Sequence, residues 1–353
     1  MLEQLYVDNV TVFSRAVFNL GALNVIHGAN STGKTHLLKL AYSVLGCLVP
    51  PPNAPPSERP TKGALETQLG SRLVSVFRPD RGRLGRLARR VHGQSRAEVG
   101  AHFVGGGSLT LSFSTQSDKA VRVHDLPRTW QPQAPVFLPT RELLSVYPGF
   151  VSLYETQAVP FDATWRDTCV LLGAPVARGP KKREIAVLLE PLEAAIGCKA
   201  VLEGDRFFVQ MSDPNAKVEA DLVAEGYRKL TMVARLIANG SLDDKGYLFW
   251  DEPESNLNPR LIRSLAPLLL DLASGGVQVF VATHSLFLLR ELEIEQARRD
   301  ASRLFRYPLT RYFGLHATSE GVRVDQGDAL EDSGELAALD ESLAQSDRYL
   351  ALE

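Results

Sequence analysis

The sequence predicts an α/β fold: a mostly parallel core sheet flanked by helices, an N-terminal antiparallel β subdomain and an inserted α/β-helical lobe. Three observations predict it. Between residues 23 and 48 an apolar run ("LNVIHG"), a glycine-bracketed loop ("GANSTGKT") and the helical repeat of Leu37, Leu38, Ala41, Val44 and Leu45 follow one another as strand, loop and helix. From 246 onward "GYLFWDEPE", "LIRSLAPLLLDLA", "VQVFVATHS" and "LFLLRELE" repeat strand, loop and helix, the succession that builds a parallel sheet covered by helices. Residues 2–28 alternate instead, with Leu5, Val7, Val10, Val12, Val17 and Leu20 at apolar positions, as in a meander of short strands.

The remaining elements follow in order. "VPPPNAPPSERP" (49–60) is a loop, since proline lacks the amide donor and clashes with a preceding helical turn. A helix is expected over 63–77. The arginine-rich stretch 78–96 places Leu84, Leu87, Ala88 and Val91 on one expected helix face. "SLTLSFST" and "APVFLP" read as strands, 150–200 as mostly helical, "RFFVQMS" as a strand, and "TRYFGLHATSEGVRVDQ" as a closing hairpin before an acidic terminal helix. The expected units are 1–48 (β meander, phosphate loop and first helix), 49–133 (inserted basic lobe), 134–220 (second core strand and helical lid), 221–325 (the motif-rich remainder of the core) and 326–353 (acidic helix).

A net charge of −2 argues against a uniformly basic nucleic-acid coat, and the apolar runs are too short to span a bilayer. With no signal-like N-terminus, a soluble cytoplasmic protein is expected. Cys47, Cys169 and Cys198 lack metal-ligand spacing and read as buried thiols.

"GANSTGKT" fits G-x-x-x-x-G-K-[ST] in full. Gly28 and Gly33 turn the backbone so that the amides of Ala29, Asn30, Ser31 and Thr32 face phosphate oxygens. Lys34 reaches the β and γ phosphates, Thr35 offers a hydroxyl to Mg²⁺, and His36 follows in the helix. At the end of the strand "YLFWDE", Asp251 is placed to hold the metal through water and Glu252 to orient the attacking water. A third strand ends in His284, at the sheet edge where ligands of open α/β sheets sit. There a histidine can hydrogen-bond the γ-phosphate.

A phosphate loop, then "DE" at a strand end, then a strand ending in histidine resemble, in that order, the ATP-binding-cassette superfamily. The resemblance implies a signature motif at a helix N-terminus shortly before the "DE" strand. "AEGYRKLTMVARLIANG" occupies that slot, with Leu230, Val233, Ala234 and Ile237 as its buried face. In the family this helix clamps the γ-phosphate held by another subunit. Glu225, Gly226, Arg228 and Lys229 are then expected to line half of a composite ATP site, and a head-to-head homodimer is implied.

Asn258 and "VAEGYRK" depart from transporter subunits and look like the non-transporter branch of SMC, RecF and OLD-like ATPases, often labelled AAA. "VFLPTREL" resembles the glutamine-loop region but has no glutamine, leaving Thr140, Arg141 or Glu142 as substitutes. The spacing is too short for coiled-coil arms, and too little follows His284 for a TOPRIM domain. A stand-alone ATPase head with an inserted lobe is implied, using ATP and Mg²⁺ and working beside a separately encoded effector, often in bacterial anti-phage defence. A RecF-like DNA-binding ATPase is the alternative, with Arg78, Arg81, Arg83, Arg86, Arg89, Arg90 and Arg96 against duplex phosphates; a solvated face or protein contact explains them as well.

Overall fold

The computed structural model describes the chain except residues 52–58, 90–94, 131–133, 178–180, 212, 214–215, 243–245, 303–309 and 353. In chain order the elements are β1 (Leu2–Val10), β2 (Phe13–Asn19), β3 (Leu23–Gly28), α1 (Lys34–Gly46), α2 (Lys62–Phe77), β4 (Arg96–Phe103), β5 (Gly107–Ser114), β6 (Arg122–Asp125) and β7 (Val136–Leu138). There follow α3 (Phe150–Thr156), α4 (Ala163–Leu172), α5 (Lys181–Ile196), β8 (Cys198–Glu203), β9 (Arg206–Met211), β10 (Lys217–Glu219), α6 (Glu225–Ala238) and β11 (Tyr247–Asp251). The last elements are α7 (Pro259–Ser274), β12 (Gln278–Thr283), α8 (Leu286–Ser302), β13 (Thr310–Thr318), β14 (Gly321–Gly327) and α9 (Ala337–Leu350).

The core sheet runs β14-β13-β3-β12-β11-β7 and is parallel except for β14, which returns antiparallel along β13. The buried strands sort their side chains by the period of two. Tyr247, Phe249, Phe280, Ala282 and Ile26 face one apolar layer, with α1 and α2. Leu248, Trp250, Val279, Val281, Leu23 and Val25 face the other, with α6, α7 and α8. Phe249 stacks on Phe280 with ring centroids 4.6 Å apart and bridges β11 to β12.

The second sheet departs from the expected division of the chain. Its order is β2-β1-β4-β5-β6, so strands from the expected inserted lobe pair with the first strand of the protein. The insertion completes the N-terminal subdomain rather than standing apart from it. A third sheet, β10-β9-β8, packs near α6.

The helix expected within 78–96 is not formed among the described residues there. Two short 3-10 turns, Asp80–Gly82 and Leu84–Leu87, take its place. Gly85 explains part of this, since a Cβ there would lie 2.2 Å from the carbonyl oxygen of Thr115: the chain is pressed flat against the neighbouring loop. Leu84, Leu87 and Ala88 are buried as their pattern predicts, while Arg90 and Val91 lie outside the described residues. The three cysteines are buried free thiols. Among the described residues no helix is long and apolar enough to cross a membrane.

Candidate nucleotide site

Parallel pairing brings the carboxyl ends of β3, β12 and β11 level with one another. Thr283 lies opposite His27, and Ala282 opposite Asp251. This is the edge at which open α/β sheets leave a crevice for ligands. The phosphate loop leaves β3 through Gly28 (φ 146°) and enters α1 through Gly33 (φ 94°), conformations that L side chains rarely adopt. Ala29, Asn30 and Ser31 are exposed at its crest, and the Thr32 hydroxyl pins the loop by donating to the Ala29 carbonyl at 2.9 Å. Lys34 is buried, and its Nζ donates to the carbonyls of Gly28 (2.7 Å) and Ala29 (2.8 Å). Burial lowers its pKa, against the opposing pull of the Glu252, Asp251 and Glu254 carboxylates. His36 is exposed on α1 and rests against Phe77.

Thr35 and Asp251, separated by most of the chain, meet here. The hydroxyl lies 2.9 Å and 3.1 Å from the two carboxylate oxygens. Asp251 is buried, and burial pushes its pKa up to about 6, with the Thr35 hydrogen bond opposing and Glu252 adding to the rise. A buried carboxylate beside a hydroxyl, raised because its charge is poorly solvated, is a hard-oxygen pair that fits Mg²⁺. Such an ion would take Thr35 Oγ1 and Asp251 as ligands and supply neutralisation of phosphate charge.

Glu252 follows in a left-handed conformation (φ 49°), its amide donating to the Ala282 carbonyl at 2.8 Å. Its Oε1 is 3.3 Å from Nδ1 of His284, whose side chain is 53% exposed. Glu254, absent from the expected set, is buried. Its Oε1 accepts from the Thr283 hydroxyl (2.6 Å) and the His284 amide (3.3 Å), anchoring the turn that carries the histidine. A cavity of about 240 Å³ lies between Gly28–Asn30, His284 and the first turn of α9. The acidic helix α9, expected as an exposed helix or a docking surface for a basic partner, therefore borders the phosphate loop.

The signature residues are placed otherwise than expected. Ala224 and Tyr227 are exposed at the N-terminus of α6, and Glu225 is half-buried in its first turn. Gly226 faces inward: a Cβ there would sit 2.6 Å from the Asn256 carbonyl oxygen, so its smallness serves packing within the chain. Arg228 donates to the carbonyls of Val223 (2.8 Å) and Ala220 (3.2 Å) and makes a charge contact of 2.7 Å with buried Glu142. That contact is an ion pair rather than an aligned hydrogen bond. It removes Glu142 from the proposed glutamine-loop role, because the carboxylate also accepts from the Leu144 amide. Lys229 is 0% exposed, and its Nζ donates to the Glu252 carbonyl at 2.6 Å and to Ser255 Oγ at 3.0 Å. Burial brings it down to about 8, with Glu254 and Glu252 opposing. Neither base is free for a phosphate held elsewhere. Asn258 caps α7, its side chain accepting from the Leu261 amide. In the arginine-rich stretch, Arg83 pairs with Asp118 and Arg86 with Asp80.

Residues 203–290 match the family described as "AAA domain, putative AbiEii toxin, Type IV TA system". Among solved structures, the SMC head bound to the C-winged-helix domain of ScpA aligns over 92% of this chain and 97% of its own, at 12% identity and a TM-score of 0.54. The fold is that of an SMC head domain. An SMC head with an extended coiled coil, bound to the C-terminal domain of ScpA and derived from Pyrococcus furiosus, aligns over 98% of this chain and 99% of its own, at 10% identity and a TM-score of 0.52. No curated protein matches the chain. The expected fold is borne out, and the match over 203–290 together with the SMC-head fold supports the recognition of a P-loop ATPase of the SMC and RecF-like branch.

Proposed function

We propose that this head hydrolyses ATP in a Mg²⁺-dependent way and pairs with a second copy around the nucleotide, acting as a conformational switch on a separately encoded effector. The carrying observation is the convergence of Thr35–Asp251 and Glu252–His284 at one sheet edge beside Lys34. In this reading the loop amides and Lys34 bind the β and γ phosphates. Thr35 and Asp251 hold the metal, Glu252 orients the attacking water, and His284 contacts the γ-phosphate.

The partner's contribution is its α6 N-terminus, through backbone amides and helix dipole rather than through Arg228 or Lys229. Exposure of Ala224 and Tyr227 supports this, as does the exposed Leu222 just before the helix. A role in bacterial defence rests on the family matched over 203–290.

The test is light scattering on Glu252→Gln with and without Mg²⁺-ATP. The mass should double from 38.7 kDa when ATP is added. Ala224→Asp in the same background should abolish the doubling while retaining ATP binding, because aspartate caps a helix well yet repels phosphate. A mass that never responds to ATP, with Ala224→Asp showing wild-type turnover, would refute pairing through α6.

A further inference from the structure

The turn Asp251–Asn256 holds two non-glycine residues in the left-handed region, Glu252 (φ 49°) and Asn256 (φ 63°). That region is strained for glutamate and better tolerated by asparagine, and the pair persists where the surroundings hold it. Two contacts from α6 do so. Gly226 lies so close to Asn256 that a single added carbon would touch the carbonyl oxygen. Lys229 donates to the main-chain carbonyl of Glu252 and to both the carbonyl (3.3 Å) and hydroxyl of Ser255. The Ser255 hydroxyl in turn donates to the same Glu252 carbonyl at 2.8 Å.

A lysine is an expensive way to hold a turn. Its ammonium is removed from water, and it sits near the positive end of its own helix. Three oxygen acceptors and the surrounding carboxylates offset that cost, so the arrangement is stable only while α6 and the turn keep their mutual position.

We propose that Lys229 is a positioning residue. It grips the main chain of Glu252 and carries any displacement of the α6 N-terminus to the Glu252 carboxylate, so that a phosphate engaging α6 regulates hydrolysis in the subunit to which α6 belongs. This rests on the reading of Glu252 as the water-orienting carboxylate. Under it, one face of the first α6 turn meets the partner's nucleotide while the opposite face holds the turn of its own active site. Lys229 touches no nucleotide; it acts through Glu252.

The test compares Lys229→Met, Glu252→Gln and the double variant, by single-turnover ATP hydrolysis and by affinity for a fluorescent ATP analogue. Lys229→Met should lower the hydrolysis rate at least tenfold and leave the analogue Kd within twofold. It should produce no further loss in the Glu252→Gln background, as expected of residues acting in one chain of effects. If Glu252→Gln hydrolyses at the wild-type rate, the assignment of Glu252 fails whatever Lys229 does. If Glu252→Gln is impaired but Lys229→Met is not, or if the two losses multiply, the coupling is overturned. Should Lys229→Met not fold, Ser255→Ala removes the shared hydroxyl at smaller structural cost. It should slow hydrolysis about threefold at unchanged Kd, and a wild-type rate there would equally sink the proposal.

Discussion

Replacing Asp251 by asparagine should stabilise the metal-free protein while abolishing the proposed ATP hydrolysis. The carboxyl is raised from 3.8 to about 6 in the folded chain, chiefly by burial. A raised carboxyl binds more protons folded than unfolded, so stability falls as pH rises through the window from 3.8 to about 6, and the penalty is complete above it. At about 1.4 kcal/mol per unit, the ionised side chain costs the fold about 2–3 kcal/mol at neutral pH. Asparagine keeps the shape and a hydrogen bond to Thr35 without the charge. For a chain of this length the gain corresponds to a rise of about 3–4 °C in melting temperature. The assay is thermal unfolding in EDTA without nucleotide, at pH 7.5 and at pH 4. The difference between variant and wild type should appear at the higher pH and vanish at the lower. A variant less stable than wild type at pH 7.5, or equally stabilised at both, would refute the assignment of the penalty to the carboxylate charge.

Three further outcomes follow from the same geometry. Buried His27 touches Ser333 at 2.6 Å, and burial, with smaller contributions from His316 and Lys34, lowers its pKa from 6.5 to about 4. Its neutral form is favoured folded, so stability is lost as pH falls from 6.5 toward 4; urea unfolding should show His27→Gln losing about 2–3 kcal/mol less than wild type between pH 7.5 and 4.5. Gly226→Ala should cost about 1–3 kcal/mol by chemical denaturation and slow turnover without weakening nucleotide binding, because the added carbon meets backbone. Glu254→Gln should be mild in denaturation, within about 1 kcal/mol, whereas Glu254→Ala should cost about 1–3 kcal/mol by leaving the Thr283 hydroxyl and His284 amide unpaired, and should also lower turnover.

What could be read from the residues was governed by how local their signals were. Strand ends are local events: an apolar run stopping at Gly28, Asp251 or Thr283 fixes where the next side chain emerges, and parallel pairing made those ends level. The fate of α6 was also partly legible. Stepping back four residues from Leu230 and Val233 reaches Gly226 and Lys229, on the same buried stripe, but the charge on Lys229 suggested exposure. Glu142 and Arg228 gave no such sign, since their pairing depends on how the loop after β7 crosses α6. The 78–96 stretch shows the opposite failure. Its apolar spacing was helical and its leucines are buried, yet the close approach at Gly85 replaced the helix by turns. The union of β4 with β1 joins residues far apart in sequence, and no local pattern announces it.

The position of β3 has a consequence for biosynthesis. Its neighbours in the core sheet are β12 and β13, both from the last quarter of the chain. The strand that presents the phosphate loop therefore leaves the ribosome well before both its partners and waits for them. At about 5–20 residues per second, the delay is on the order of 15–60 s. Through that interval "LNVIHG" is an apolar strand with two unpaired edges, a natural client for a chaperone and a seed for aggregation if left uncovered. The glycine-rich loop is held at both sides of its strand only after β13 has been made.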